Sequence, residues 1–298
     1  MKERNKEILR ASGDSSYNRY VKVCERSLVD DNVFHSFKTN SDYTYELEHV
    51  PKESAVICLI DLKANYADKL MELNWDLVRS NDIYVKTNRS LFESEFSGII
   101  DSPNQDDYMF SPTTIYYLWV AFKIVSNLKE KSSFSFTEIG CGYGGQCLIV
   151  HIVADLYDKS VESYSLIDLF CASKLQQKYI HFIDSKLRKD FKIQCQFVTC
   201  LEVKESEVSF DEIDVVISNY CLSEISVEWA NIYMEKIIKK SWSGFILWNN
   251  KSSMGHVLPD HLSINEFKAN DFPNLKIEPS LKDSHNPDHN MFCRLVTF

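Results

Sequence analysis

The chain is short of glycine, with eight in 298 residues, and of proline, with seven. Those low counts exclude collagen-like and low-complexity classes. Basic residues are also scarce, 33 against 43 acidic, for a net charge of −10. That balance argues against a phosphate-backbone partner, so no nucleic acid is expected. Long apolar runs are missing as well. Ala55–Leu62 and Ile115–Val125 are too short or too interrupted for the roughly 18 residues of a membrane helix, and no membrane span is expected. The charged start, MKERNKE, leads to no apolar segment, so no secretory signal is expected. No C-x-x-C pair occurs among nine cysteines, and Cys58, Cys195 and Cys293 sit inside apolar runs. This pattern reads as reduced, buried thiols in a cytoplasmic protein, with no structural zinc site. What the chain does hold is core material: 44% hydrophobic and 13% aromatic residues rule out disorder.

Two regions differ in pattern. In Ala64–Leu77 the apolar groups Tyr66, Leu70, Leu73 and Leu77 have helical spacing, and Ala55–Leu62 reads as a strand. The polar loop Ser102–Asp107 marks a boundary between a mainly helical accessory cap, 1–107, and a second unit, 108–298. Ser111-Pro112 then reads as an N-cap with proline at the first helical position of a helix running to about Leu128.

From there strands and helices alternate. Strands are expected at Phe134–Ile139, Tyr164–Leu169, Phe191–Cys200, Ile213–Asn219, Gly244–Trp248, Leu275–Pro279 and Met291–Phe298. Helices are expected at Gly145–Tyr157 and Ala172–Leu187, and around Trp229, Ile232, Tyr233 and Ile237. Such alternation predicts an α/β, Rossmann-like parallel sheet with helices on both faces. No helix separates the last two strands, so the final strand should return antiparallel.

Four of the eight glycines fall within six residues: Gly140, Gly142, Gly144 and Gly145. They lie between the first strand and its helix, where backbone can approach a ligand and a helix N-terminus offers N–H donors. Two ligands fit. Gly140-x-Gly142-x-x-Gly145, with Asp168 ending the second strand, satisfies the dinucleotide fingerprint of NAD(P) oxidoreductases. Glu138-x-Gly140-x-Gly142-x-Gly144 resembles motif I of class I S-adenosylmethionine-dependent methyltransferases. The carboxylate of Glu138 suits a ligand carrying an ammonium group, and the seven-strand pattern ending in a hairpin also resembles that fold.

The likeness extends further. Glu138-Ile-Gly-Cys-Gly-Tyr-Gly-Gly-Gln146, Tyr164-Ser-Leu-Ile-Asp-Leu169 and Ile217-Ser-Asn-Tyr-Cys-Leu-Ser-Glu224 resemble stretches of the sugar O-methyltransferase family, over about residues 108–250. The resemblance implies S-adenosylmethionine as cofactor and a small-molecule or glycan acceptor. It implies a cofactor site built from Glu138, Gly140, Gly142, Tyr143, Gly144, Gln146, Asp168, Leu169, Ser218 and Asn219. Asp168 would hold the ribose hydroxyls, since two acceptor oxygens match a cis-diol. Ser218, Asn219 and Tyr220, at the end of the fourth strand, would lie near the methionine moiety. Glu202 is a candidate for the adenine amino group or an exposed loop charge.

The general base is sought on the same rim. Glu224 follows the fourth strand, and His285 and His289 lie in the Asp283–Asn290 loop, histidine titrating near working pH. That loop could instead be solvated or hold a divalent metal. Asn249, Asn250 and His256 are further rim residues. Tyr143 and Trp248 could stack on a sugar ring, though Trp248, at the end of its strand, fits the core better, and Phe92, Phe96, Tyr108 and Phe110 could close the site or only pack. A catalytically silent binding protein of the same fold is the remaining alternative.

Overall fold

The computed structural model describes residues 15–298 except 46, 49, 129–130, 188–190, 211–212, 250–260, 271, 273 and 280–292. The N-terminal part is helical. Helix α1 (Ser15–Val29) is followed by short turns at Asp31–Phe34, Phe37–Thr39 and Ser41–Thr44, then α2 (Lys52–Glu72) and α3 (Trp75–Ile83). Ala55–Leu62, expected as a strand, is the first part of α2. Its buried residues Ala55, Cys58, Leu59 and Leu62 are spaced at three and four, which is one face of a helix and not the alternation of a half-buried strand. The helix bends at Tyr66, whose φ of −140° leaves the helical range. A small ribbon then pairs Ser90–Leu91 with Met109–Phe110.

Helix α4 (Pro112–Val125) starts as expected, with the Ser111 hydroxyl accepting from Thr113 N. After it come β1 (Ser133–Ile139), α5 (Gly145–Leu156), β2 (Ser160–Asp168), α6 (Phe170–Asp184), β3 (Gln196–Thr199) and the short α7 (Cys200–Lys204). Next are β4 (Ile213–Asn219), α8 (Cys221–Glu224), α9 (Val227–Lys236), β5 (Ser241–Asn249), α10 (Ile264–Lys268), β6 (Lys276–Pro279) and β7 (Cys293–Thr297). The seven strands form one sheet in the order β3-β2-β1-β4-β5-β7-β6. All pairings among β1 to β5 are parallel, and β7 runs antiparallel to both β5 and β6. This is the Rossmann-like sheet with an antiparallel last strand that the pattern predicted. Strand β3 is shorter than Phe191–Cys200. It is an edge strand with one neighbour, and its ladder to β2 covers only Gln196 to Thr199.

Side-chain alternation sends apolar residues to two cores. On one face, Phe134, Phe136, Leu166, Val215 and Ile217 pack with α4, α5, α6 and the N-terminal helices as one cluster. On the other, Ile139, Ile167, Val216 and Ile246 pack with α9 and α10. The N-terminal residues therefore share a core with the sheet. Phe96 and Phe110 pack against Trp75 within that core, with ring centroids at 4.9 and 5.7 Å, and Phe92 packs edge-on against Phe96 at 6.4 Å. Tyr108 is buried too, its hydroxyl donating to the carbonyls of Ile100 and Ser102 at 3.2 and 3.0 Å. All four are packing residues.

Candidate active site

The chain builds β1, β2 and β3 outward in one direction, then returns to place β4 on the other side of β1. In sheets of this kind a ligand crevice opens beyond the carboxyl ends of the strands at that switch. Register shows what converges there. Glu138 on β1 is level with Leu166 on β2 and Ile217 on β4. Asp168 and Asn219 lie two residues further along the same faces. Both therefore stand level with the start of the glycine turn and point to the side covered by α4, α5 and α6.

Three of the clustered glycines adopt left-handed backbone: φ is +75° at Gly140, +56° at Gly142 and +89° at Gly144. Internal packing adds a second constraint at two positions. A Cβ on Gly140 would lie 2.4 Å from the Cβ of Cys221, and one on Gly145 would lie 2.6 Å from the Tyr143 ring. The expectation that glycine clusters where backbone meets a ligand is thus only part of the cause. The turn needs glycine to fold on itself.

Asp168 ties β2 to this turn. Its Oδ2 accepts from Gly142 N at 3.0 Å and from Gln176 Nε2 at 3.2 Å, and its Oδ1 accepts from Leu169 N at 2.7 Å. Leu169 begins α6. Burial raises the Asp168 carboxyl to about 7, against the pull of the N–H donors of Leu169 and Gly142. Glu138 sits deeper and is 1% exposed. Its Oε2 accepts from the Tyr164 hydroxyl at 2.7 Å. Burial pushes this carboxyl up to about 8, so it is largely protonated at neutral pH. The expected anion facing an ammonium group is here a buried, neutral acid bonded to Tyr164.

Asn219 and Gln146 face each other across the turn. Asn219 Nδ2 donates to Gln146 Oε1 at 3.4 Å, and Gln146 Nε2 donates to Tyr117 O at 3.0 Å. Among the described residues, Asn219 Oδ1 is buried with no hydrogen-bond partner. Ser218 is fully buried on the opposite face, its hydroxyl donating to Ile139 O at 3.3 Å. Next in the chain, Tyr220 takes a left-handed φ of +69°, and its hydroxyl lies 2.8 Å from that of Tyr116. A non-glycine residue held there marks a constrained position. Its place at the end of β4 was expected from the sequence, but its left-handed backbone was not.

The turn after β4 is bound to β5. Ser223 Oγ donates to Tyr220 O at 2.7 Å and accepts from Asn249 N at 2.9 Å. This places the exposed Glu224 beside Asn249, whose Nδ2 donates to Glu224 Oε1 at 3.4 Å. Among the described residues, no group of three or more His, Cys, Asp or Glu side chains could hold a metal ion. Nor is any helix long and apolar enough to cross a membrane. His285, His289, Asn250 and His256 lie outside the described residues.

The expectations for Tyr143 and Glu202 need correction, while Trp248 takes the core position that its strand end favoured. Tyr143 cannot stack on a sugar: its ring is fully buried and points away from the rim, toward Asn81, which donates to its hydroxyl at 3.1 Å. Trp248 is core, 1% exposed. Glu202 is a capping residue, accepting from Thr199 N at 2.6 Å while Thr199 Oγ1 accepts from Glu202 N. The sequence Thr-x-x-Glu at 199–202 was a capping-box signal that could have been read.

No family model and no curated protein sequence matches the chain. Among solved structures it is similar to the methyltransferase domain of bacterial CtHen1-CN, with 10% identity, 60% of this chain and 96% of that one covered, and a TM-score of 0.41. It is similar to the plantazolicin methyltransferase BpumL in complex with SAH, with 11% identity, 86% and 97% covered, and a TM-score of 0.39. A third is the mitomycin 7-O-methyltransferase MmcR, with 14% identity, 76% and 69% covered, and a TM-score of 0.40. Likeness at this level carries no argument about ligand or reaction, which must come from the site.

Proposed function

We propose that the chain is an S-adenosylmethionine-dependent methyltransferase acting on a hydroxyl of a sugar, sugar nucleotide or surface glycan. The observation that carries this reading is the meeting of Asp168, the glycine turn and Asn219 at the switch of a sheet whose last strand is antiparallel. The donor set fits the cofactor. Asn219 Oδ1 is a buried acceptor without a partner among the described residues, which suits an ammonium group. Asp168 offers a carboxylate for ribose hydroxyls, with Leu169 beside the adenosine.

S-adenosylmethionine, when bound, supplies an activated methyl group that an acceptor oxygen displaces from sulfur. The protein's share is alignment, exclusion of water and removal of the hydroxyl proton. Gly140, Gly142 and Gly144 give the turn its shape, and Gln146 holds Asn219 in place. Glu224 is the base we assign, oriented by Asn249; His285 and His289, between β6 and β7, are the other candidates. The acceptor class rests on the sequence resemblance of 138–146, 164–169 and 217–224.

The test is transfer of a labelled methyl group to a panel of glycans and sugar nucleotides. Glu224→Gln should slow transfer by about a hundredfold, the lower range for loss of a general base, with cofactor affinity unchanged. Full rate in that variant moves the base to the histidine loop. No transfer to any hydroxyl acceptor removes the acceptor assignment.

A further inference from the structure

Lys38 has no exposed surface. It lies on the turn Phe37–Thr39, and its Nζ donates to Asn81 O at 2.7 Å. Two carboxylates flank it, Asp82 Oδ1 at 3.7 Å and Glu48 Oε1 at 3.9 Å. The same ammonium lies 4.4 Å from the ring centroid of Tyr143, the side chain of the glycine turn. The partners are themselves held. Asp82 accepts from Ser111 N at 2.8 Å and Thr114 Oγ1 at 2.7 Å. Asn81 Oδ1 accepts from the Tyr179 hydroxyl at 2.8 Å. The N-terminal turn, the end of α3 and the start of α4 thus converge on one ring.

Stability does not explain this lysine. Buried ion pairs are commonly replaced by apolar groups with no loss of stability, and the neighbours Phe37, Tyr143 and Tyr179 already form an aromatic core. What the cation adds is geometry. The Tyr143 ring is pressed from one side by Lys38 and edge-on by Tyr179, with centroids 4.9 Å apart at 81°. It also lies so close to the Cα of Gly145, the first residue of α5, that a Cβ there would sit 2.6 Å away. The ring's position therefore sets how the turn enters the helix. From the same N-terminal segment, Leu47 Cδ1 would meet a Cβ on Gly142 at 3.0 Å.

We propose that Lys38 is a positioning residue: through the Tyr143 ring it holds the Gly140–Gly145 turn in the conformation that receives the cofactor, making the N-terminal segment a working part of the cofactor site. This rests on the methyltransferase reading above.

Calorimetric titration with S-adenosylhomocysteine tests it in wild type, Tyr143→Phe, Tyr143→Leu, Lys38→Met and Lys38→Met/Tyr143→Leu. Phenylalanine keeps the ring and its cation contact, so affinity should stay within about threefold, the range of one neutral hydrogen bond. Leucine removes the ring, and affinity should fall by about tenfold or more, the scale of a desolvated cation–π contact. Lys38→Met should fall similarly, and the double variant no further, because both act through one contact. A merely structural role would instead make the affinity losses follow thermal stability from variant to variant. If Lys38→Met does not fold, the two Tyr143 variants decide. Equal affinity of Tyr143→Leu and wild type overturns the proposal alone. Wild-type protein that fails to bind S-adenosylhomocysteine overturns the cofactor reading and this proposal with it.

Discussion

Glu138→Gln should change how stability depends on pH. Glu138 is sealed beneath the rim, and its carboxyl ionises near 8 in the folded protein against an ordinary value of 4.5. An acid whose folded pKa is raised binds more protons folded than unfolded, so it contributes stability at low pH that is lost as pH rises. The loss begins near the unfolded value and is complete once pH has passed the folded one. Integrating between about pH 5 and about pH 8, this one group should cost wild type roughly 3 to 4 kcal/mol, at up to a factor of about ten in the folding equilibrium per pH unit. Glutamine keeps an acceptor for the Tyr164 hydroxyl but cannot ionise. Its new N–H donors add a constant penalty of about 1–3 kcal/mol at every pH. The assay is urea unfolding followed by tryptophan fluorescence across that range, reading the difference between variant and wild type. Asp168, Glu48 and Asp82 are also raised by burial and tilt both proteins alike. The difference should therefore shift toward the variant by roughly 3 to 4 kcal/mol as pH rises. A difference that stays flat refutes the buried, neutral Glu138.

Other consequences are simpler. Gly145→Ala should destabilise by about 1–3 kcal/mol in thermal unfolding, because overpacking against the pinned Tyr143 ring outweighs alanine's better helix propensity; a stabilised variant would show that the ring gives way. Asp168 ionises near 7 in the folded protein, and hydroxyl donors favour its ionised form. Affinity for S-adenosylhomocysteine should therefore rise between about pH 6 and about pH 8, up to tenfold per unit below the folded pKa, and Asp168→Asn should flatten that rise. The same rise in the variant would assign the titration to another group.

Much of the sheet was legible because β1, β2, β4 and β5 are apolar runs bounded by turns and separated by helical periods. Ile213–Asn219 has the expected bounds. The insertion of β7 between β5 and β6 was not legible, since strand order depends on pairing between distant segments. Ala55–Leu62 misled because a short run that is apolar at nearly every position hides its period, and the helical spacing shows only once burial separates Ala55, Cys58, Leu59 and Leu62 from their neighbours. At the site, residue types could be read but not directions. Tyr143 sits in a motif that suggests ligand contact, yet its partners Lys38, Asn81 and Tyr179 lie far away in sequence. Burial likewise turned Glu138 from an anion into a neutral acid, which no spacing could announce.

The central claim, a nucleoside-sulfonium cofactor seated on the glycine turn and Asp168, is tested most directly by equilibrium titration with S-adenosylhomocysteine and with NAD, in wild type and Asp168→Asn. Stoichiometric binding of S-adenosylhomocysteine, weakened about tenfold or more by Asp168→Asn as expected for loss of a charged hydrogen-bond acceptor, with no binding of NAD, is the predicted result. Binding of NAD in its place, or S-adenosylhomocysteine affinity indifferent to Asp168, would contradict it.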